Sequence, residues 1–352
     1  MFDISAAGDI DKTNVSNHKT KSHCFPIIGN ALSNDGLYGY TNTYKQENSL
    51  TVTGRGEIGI AKARPYKYYP IVRLLTLKPK NNADLKYFEC LINSHEILNE
   101  STGVPQLTTP QIGKLKYYIA GYDEQKLIGD FLSKIDARIE TQNKIIKKYE
   151  SLIKPLFDSL NKGPKHPVTI GELGKYVSAD SLSWDSINDC GNPVIIYGQL
   201  FTDYKYIIRE VISRTDAILK TVTHGNDLLF PSSTTVDALS LIAPASIKLH
   251  NVFLGGDMFK IEMDIAKFDS DYISFLINCS YKEELAKYAQ GSTIIHLHYD
   301  DIKSFKINIC DIEEQKKISN ALNLLLDKIT VEKRLLELLR IQRRYLLGNM
   351  FI

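Results

Sequence analysis

Apolar side chains recur on one helical face between Asp123 and Leu160, at 128, 132, 135, 139, 146, 149, 153 and 156, with Gln142 at the interrupting position. The 4,3 alternation runs for about four heptads, the spacing that keeps one seam facing a partner helix. The equivalent seam positions of a second stretch are 318, 322, 325, 329, 336, 339, 343 and 346, apolar except for Arg343, with Glu332 interrupting at the equivalent place. Acidic residues open both stretches, Asp123-Glu124 and Asp311 to Glu314, where they suit the positive end of a helix dipole. Asp311-x-x-Glu314 also has the form of a capping box. At 1.5 Å per residue each helix is roughly 50 Å long.

The two stretches belong to an internal repeat. A shift of 190 places Glu124-Gln125-Lys126 on Glu314-Gln315-Lys316 and continues without a gap to Leu156 on Leu346. Upstream, Tyr87, Leu91, Ile92 and Asn93 match Tyr272, Leu276, Ile277 and Asn278 at a shift of 185, which implies five extra residues in the second copy. Between these anchors Leu107 falls on Leu297 and Ile112 on Ile302. One apolar stripe alone fits a helix packed on its own globular core; two of equal length, each closing a repeat, predict a paired coil. In an antiparallel pair the midpoints of the seams face each other, so Gln142 and Glu332 are expected to meet and to fix register. Both tilting toward solvent is the competing expectation.

The segments that open each half diverge. Strands are expected at Ser49–Thr53, Ile71–Leu77, Val194–Tyr197 and Leu239–Ile242. The stretch from Asn161 to Pro167, rich in Gly, Pro and Lys, reads as a linker. The expected organisation is a globular domain over 1–122, a helix over 123–160, a linker over 161–169, a second domain over 170–310 and a second helix over 311–352. The fold class is therefore α+β, two globular α/β domains in tandem repeat separated by two long antiparallel helices forming a coiled coil.

Composition narrows the function classes. The chain has 352 residues, 43% apolar and 24% charged, near the globular average. No run approaches the ~18 apolar residues of a membrane span, so no membrane partner is expected. No secretory signal is visible, and the five cysteines are scattered and never spaced CxxC. These features argue against a disulfide framework or zinc ribbon and for a reducing cytoplasm.

Motifs for catalytic chemistry are sparse. Gly54-x-Gly56-x-x-Gly59 is a literal dinucleotide fingerprint, yet Pro65 and Pro70 interrupt the helix it would need, and no acid lies about 20 residues on. A glycine-rich strand turn is the better reading. There is no P-loop, no Pro-Pro dipeptide for an amino-methyltransferase motif, and no Pro-Asp for the usual nuclease signature. His296-x-His298 with Asp300-Asp301 admits a metal, but chance pairing on a strand explains it more simply, and His23-Cys24 is equally isolated. No catalytic residue, metal or cofactor is expected.

Charge is more informative, although the net value is only +2. Residues 54–80 carry seven basic side chains against the single acid Glu57. Lysines neutralise phosphates, and arginine can also fork onto guanine in the major groove. Arg55 and Arg64 are candidates for reading bases, Lys62 and Lys67 for phosphates, with Tyr66 interleaved. In the second half Lys205, Arg209, Arg214 and Lys220 alternate with acids, and Ser232 and Thr234 lie in a polar run. A merely solvated basic surface, and an ordinary loop for the hydroxyl run, are the competing readings.

Two dissimilar domains, each followed by a near-identical helix opening on Glu-Gln, resemble the DNA-specificity subunit of type I restriction–modification systems. The matching stretches are residues 123–139 and 313–329; Gly103-Val-Pro-Gln-Leu107 is similar to the family's strand before the helix, and Gly54–Gly59 to its arginine-bearing loop. The resemblance implies that each domain is a target-recognition domain reading one half of a split site in double-stranded DNA, with the helices setting their separation. It also implies partners: DNA methyltransferase (modification) subunits and a restriction/translocase subunit, which would carry the catalysis. Two departures stand out. The prolines that usually precede Glu-Gln are missing, and the first half has no counterpart of the opening Ile170–Gly174, as if truncated or rearranged. A fused restriction–methylation system, in which one partner chain carries both activities, and a coiled-coil scaffold without DNA binding are the alternatives.

Overall fold

The computed structural model describes residues 1–95 and 106–351. Gly103–Pro105 of the stretch likened to a family strand lie outside the described residues; Gln106 pairs with Arg55 as an isolated bridge. The chain divides into two compact units, residues 1–145 with 332–352, and residues 146–331. Both long helices, Tyr122–Leu160 and Ile312–Met350, pass from one unit into the other.

The first unit is built on a four-stranded antiparallel sheet in the order β1 (Phe2–Ala6), β4 (Leu75–Pro79), β2 (Ser49–Val52) and β3 (Ala61–Arg64). A smaller sheet joins Phe25–Ile28, Leu37–Thr41 and Tyr69–Pro70. Helix α1 (Leu85–Asn93) packs its apolar face against this framework, so Leu50, Leu77, Phe88 and Leu91 share one core with Leu132 and Ile135 of the helix α2 (Tyr122–Leu160). Phe351 enters the same core and meets Tyr87 edge-on at 5.2 Å.

The second unit repeats the plan with additions. β5 (His166–Thr169) leads into β6 (Gly174–Ser178), the edge of a five-stranded sheet that also holds β7 (Asp227–Pro231) and β8 (Met258–Met263). A second sheet contains Asn192–Ile196 and His250–Gly255. Helix α3 (Ser270–Leu276) covers the core, and β9 (Lys306–Ile309) returns to pair with β5 before helix α4 (Ile312–Met350) begins. Ile153 and Phe157 of α2 and Ile318, Leu322 and Ile329 of α4 belong to this core.

Every seam position foreseen in the two long helices is buried or half-buried. The seam is thus shared: each stretch faces the other helix and also closes the core of a domain. Within the first unit, Asp136 pairs with Arg343 and Gln142 with Glu332. One helix advances as the other retreats, so they run antiparallel.

The Glu-Gln repeat acquires a physical meaning. Gln125 accepts a hydrogen bond from the Asp84 N–H (3.2 Å) and donates to the Ala120 carbonyl (2.8 Å). Gln315 does the same with Asp269 (3.0 Å) and Cys310 (2.8 Å). Asp84 and Asp269 are the N-caps of α1 and α3. One buried amide therefore fastens α2 to the capped start of α1, and α4 to that of α3, which satisfies backbone groups that burial would otherwise leave unpaired.

Two expected strands are corrected. Residues 71–77 do not form one strand, because Val72 and Arg73 take positive φ (51° and 57°) and turn the chain, and pairing begins at Leu75. Leu239–Ile242 lies mostly in a short helix, Ala238–Leu241, whose N-cap Asp237 accepts from the Ser240 N–H at 2.7 Å. A short apolar run carries no period to distinguish the two states, and the cap decides it.

Candidate nucleic-acid interface

The glycine-rich loop joins β2 to β3, with no helix after it. A side chain at Gly54 would meet the Arg73 carbonyl at 2.6 Å, and Gly56 and Gly59 have φ of +71° and +84°. These are the demands of a tight turn, not of a pyrophosphate site. Asn30 accepts from the Gly54 N–H at 2.8 Å and steadies the loop. Arg55 projects from it, exposed, with the Gln106 side chain accepting from its guanidinium at 3.5 Å. It lines a cleft of about 570 Å³ with Lys12, Asn30 and the exposed Tyr38. Lys12, Asn30 and Tyr38 lie far from Arg55 in sequence and carry no motif, so only the fold gathers them.

The other basic residues of this region are held differently. Arg64 is 4% exposed; it pairs with the Asp35 carboxylate and donates to Thr51 (3.2 Å) and the Tyr66 hydroxyl (3.0 Å). That guanidinium braces β3 against the Asp35 turn. Lys62 lies 3.5 Å from the same carboxylate but remains half exposed. Lys67 sits over the Tyr44 ring, 4.6 Å from its centroid, and 4.0 Å from Glu47. Tyr66 is exposed.

In the second unit Arg209 pairs with Asp327 and donates to the Asn323 side chain at 2.9 Å, both on α4. It ties the domain to its helix. Arg214 is exposed and donates to the Gly191 carbonyl at 3.0 Å, and Lys220 is exposed. Lys205 and Thr234 line one cavity of about 760 Å³ together with Lys282, Tyr197 and Phe201. Burial pushes the Lys282 ammonium below its ordinary value, an effect the Asp237 charge partly offsets. Thr234 is 8% exposed and accepts from the Val236 N–H at 3.2 Å, while half-buried Ser232 is fixed through its backbone to Asp257 and Leu297.

His224, Asp227 and Glu262 offer ligand atoms within 4.8 Å of one another, the one such group found among the described residues. The ammonium of Lys260, 1% exposed, lies 2.7 Å from Glu262 and 3.7 Å from Asp227 and already supplies the positive charge. Burial raises the Asp227 pKa; burial also acts upward on Glu262, but Lys260 outweighs it and holds that carboxyl below the usual range. This is a structural ion cluster. His296 and His298 have parallel rings 6.0 Å apart, but Asp300 pairs with Lys303 and Asp301 accepts from Gln290, so these four do not converge.

At the middle of the helical seam the Gln142 amide donates to the Glu332 carboxylate and, at 3.1 Å, to the Glu332 carbonyl. Both residues are under 10% exposed. A neutral donor thus faces a carboxylate inside an apolar seam.

Comparison with known proteins places these features in a family. Residues 1–151 and 165–340 match the model of the type I restriction modification DNA specificity domain. Two proteins of Mycoplasma pneumoniae (strain ATCC 29342 / M129 / Subtype 1) described as type I specificity subunits are 29% and 25% identical over 111 and 150 residues, or 31% and 39% of this chain. Those matches cover 31% and 45% of the two relatives, less than half of either. A solved S subunit of a type I restriction–modification system from M. genitalium superposes over 100% of this chain and 94% of its own, with a TM-score of 0.65 at 16% identity. A chain from a structural study of assembly and conformational transition of the type I system covers 93% and 91%, with a TM-score of 0.59 at 12% identity. With two matched segments that together span most of its length, the chain belongs to the family of type I restriction–modification DNA-specificity subunits.

Proposed function

We propose that the chain reads a bipartite site in double-stranded DNA and directs methyltransferase and restriction/translocase subunits to it, without catalysing the reaction itself. The observation that carries this reading is the identical glutamine joint in both repeats, set beside recognition surfaces that share no residue pattern. A conserved-by-duplication framework with two different faces suits one protein that must read two different half-sites. In this reading residues 1–122 and 170–310 are the target-recognition domains and 123–160 and 311–352 the spacer helices; 161–169 joins the halves, and its His166–Thr169 pairs as β5 with β9 of the second domain. Partner subunits dock on this frame in the cytoplasm, where the DNA lies; none of the described helices is long and apolar enough to cross a membrane.

Among the basic candidates, Arg55 is the base reader, since its guanidinium is exposed and pairs with no carboxylate among the described residues. Lys62 and Lys67 are phosphate contacts, and Arg64 and Arg209 serve the framework. The test is duplex binding by the chain co-expressed with its methyltransferase, over a range of salt. Arg55→Ala is expected to cost ~1–3 kcal/mol and relax one base position, whereas Lys62→Ala with Lys67→Ala should weaken all sequences and lower the salt slope by about 2. Unchanged affinity and slope in the triple variant would mean the patch is only solvated surface.

A further inference from the structure

The turn that leads into β4 breaks a local rule. Val72 and Arg73 are its central residues, both at positive φ (51° and 57°), and the Leu74 N–H donates across it to the Ile71 carbonyl at 3.2 Å. Positive φ at both centres is the pattern that Asn-Gly ordinarily fills, and a β-branched valine is among the residues least suited to it. The second unit builds the same corner differently. Its strands β6 and β8 pair from Gly174 opposite Met263 to Ser178 opposite Phe259, as β1 and β4 pair from Phe2 opposite Pro79 to Ala6 opposite Leu75. Just beyond, the Ala7 N–H donates to the Leu74 carbonyl (2.9 Å) and the Ala179 N–H to the Met258 carbonyl (3.0 Å). The next bond is shared as well, from the Val72 N–H to the Gly8 carbonyl (3.1 Å) and from the Gly256 N–H to the Asp180 carbonyl (2.8 Å). Val72 therefore stands where the second copy has Gly256, at a φ of +88°. One copy meets the left-handed backbone with glycine; the other keeps a valine there and an arginine after it. Strain of this kind persists only where the surroundings over-determine it, and it gathers at functional sites.

The surroundings of this turn do so. The Asn30 side chain donates to the Val72 carbonyl and accepts from the Gly54 N–H, and the Arg73 N–H donates to the Ala7 carbonyl at 3.0 Å. The Arg73 carbonyl lies 2.6 Å from where a side chain at Gly54 would begin, so the turn abuts the Arg55 loop. Val72, 45% exposed, lines the same cleft as Arg55 and Tyr38. Arg73 is exposed, and its guanidinium makes no hydrogen bond or ion pair among the described residues. Others of the basic stretch are engaged: Arg64 with Asp35, Lys67 near Glu47, and Lys80 with Asp3 at 3.0 Å. A braced, strained turn thus holds up a charged fork that the fold itself does not use. One residue before Met258, the second unit has the half-exposed Asp257 at the place of Arg73. The charge at the tip changes sign between the copies, as suits surfaces that face different half-sites.

We propose, on the basis of the DNA reading above, that Arg73 is a second specificity-determining residue of the first domain. Its guanidinium forks onto the O6 and N7 edge of a guanine, in the same half-site as the base met by Arg55. Two N–H groups in a fixed plane match two acceptors, which the point charge of an ammonium cannot do.

The experiment uses the full chain co-expressed with its methyltransferase. Mapping methylated positions in host DNA gives the motif, and a duplex carrying it, with each single-base change in turn, is the binding probe. Arg73→Ala is expected to weaken the motif duplex tenfold or more and to make one G·C position of one half-site tolerant, leaving the other half-site as it was. Arg73→Lys keeps the charge, so the salt slope should hold while the same position relaxes. Arg73→Gly should relax that position too and leave the urea midpoint equal to wild type or higher, because glycine relieves the left-handed backbone. A motif unchanged in Arg73→Ala would overturn the proposal. So would Arg73→Lys with motif and affinity intact, which would make Arg73 a phosphate contact. A midpoint lowered in Arg73→Gly would overturn it as well, by making the side chain a structural one. A wild-type complex that yields no motif would instead defeat the DNA reading itself, a result distinct from the other three.

Discussion

Replacing Gln315 by alanine probes the joint that the repeat preserves. The side chain is 1% exposed and bonds most closely to two backbone groups, the Asp269 N–H and the Cys310 carbonyl, with the Lys267 carbonyl at 3.4 Å. Truncation leaves both without this partner, at ~1–3 kcal/mol each, so a loss of about 3–4 kcal/mol is expected. With a urea m-value of roughly 2 kcal/mol/M, the midpoint falls by about 1.5–2 M. The chain has a single tryptophan, Trp184, which lies in the second unit, so its fluorescence follows that unit. Lys316→Ala is the control: Lys316 is exposed and only 3.8 Å from Glu313, and the change should stay within about 0.5 kcal/mol. Gln315→Glu adds a sign test. An ionised carboxylate cannot donate to Cys310, so the folded state raises the pKa of the new group above its unfolded value near ~4.3. The protonated form restores the bond; stability is therefore regained below about pH 4 and lost as pH rises through the folded pKa. A midpoint shift under about 0.3 M for Gln315→Ala, or one matched by Lys316→Ala, would refute the joint as a stabilising element.

Gln142→Leu leaves the buried Glu332 carboxylate without its amide donor and should destabilise the first unit by roughly 1–3 kcal/mol, read by circular dichroism in urea. The double change to Leu at 142 and 332 should recover most of that loss while weakening register, visible as broadened amide spectra of the helices; a double variant as unstable as the sum of the singles would contradict this. Asp136→Asn tests the pair with Arg343 and Lys86. Burial acts to raise the Asp136 pKa, but these two cations outweigh it and hold the carboxyl below its usual range. Its stabilisation is therefore present above ~pH 4 and lost as pH falls through the lowered folded pKa, so the urea midpoints of wild type and variant should draw together progressively below ~pH 4. Exchanging residues 1–122 for another family member's first domain should change one half-site in methylation mapping and leave the other intact.

The long helices were legible in the sequence because their signal is periodic and repeated. A 4,3 spacing over many turns leaves no alternative fold for the stripe, and two copies 190 residues apart identify the framework. The facing of Gln142 and Glu332 followed from counting, because two seams of equal length in antiparallel order leave one position for each midpoint. The shortest elements were not legible, since Leu239–Ile242 and Ile71–Leu74 carry no period and are decided by a cap and by two positive-φ residues. Nor could sequence separate one arginine from another. Arg55 and Arg64 lie nine positions apart in the same basic stretch, yet Asp35, Thr51 and Tyr66 converge on one and not the other. The Thr51 and Asp35 contacts that make the difference span 13 and 29 residues of chain, which only the folded sheet brings together.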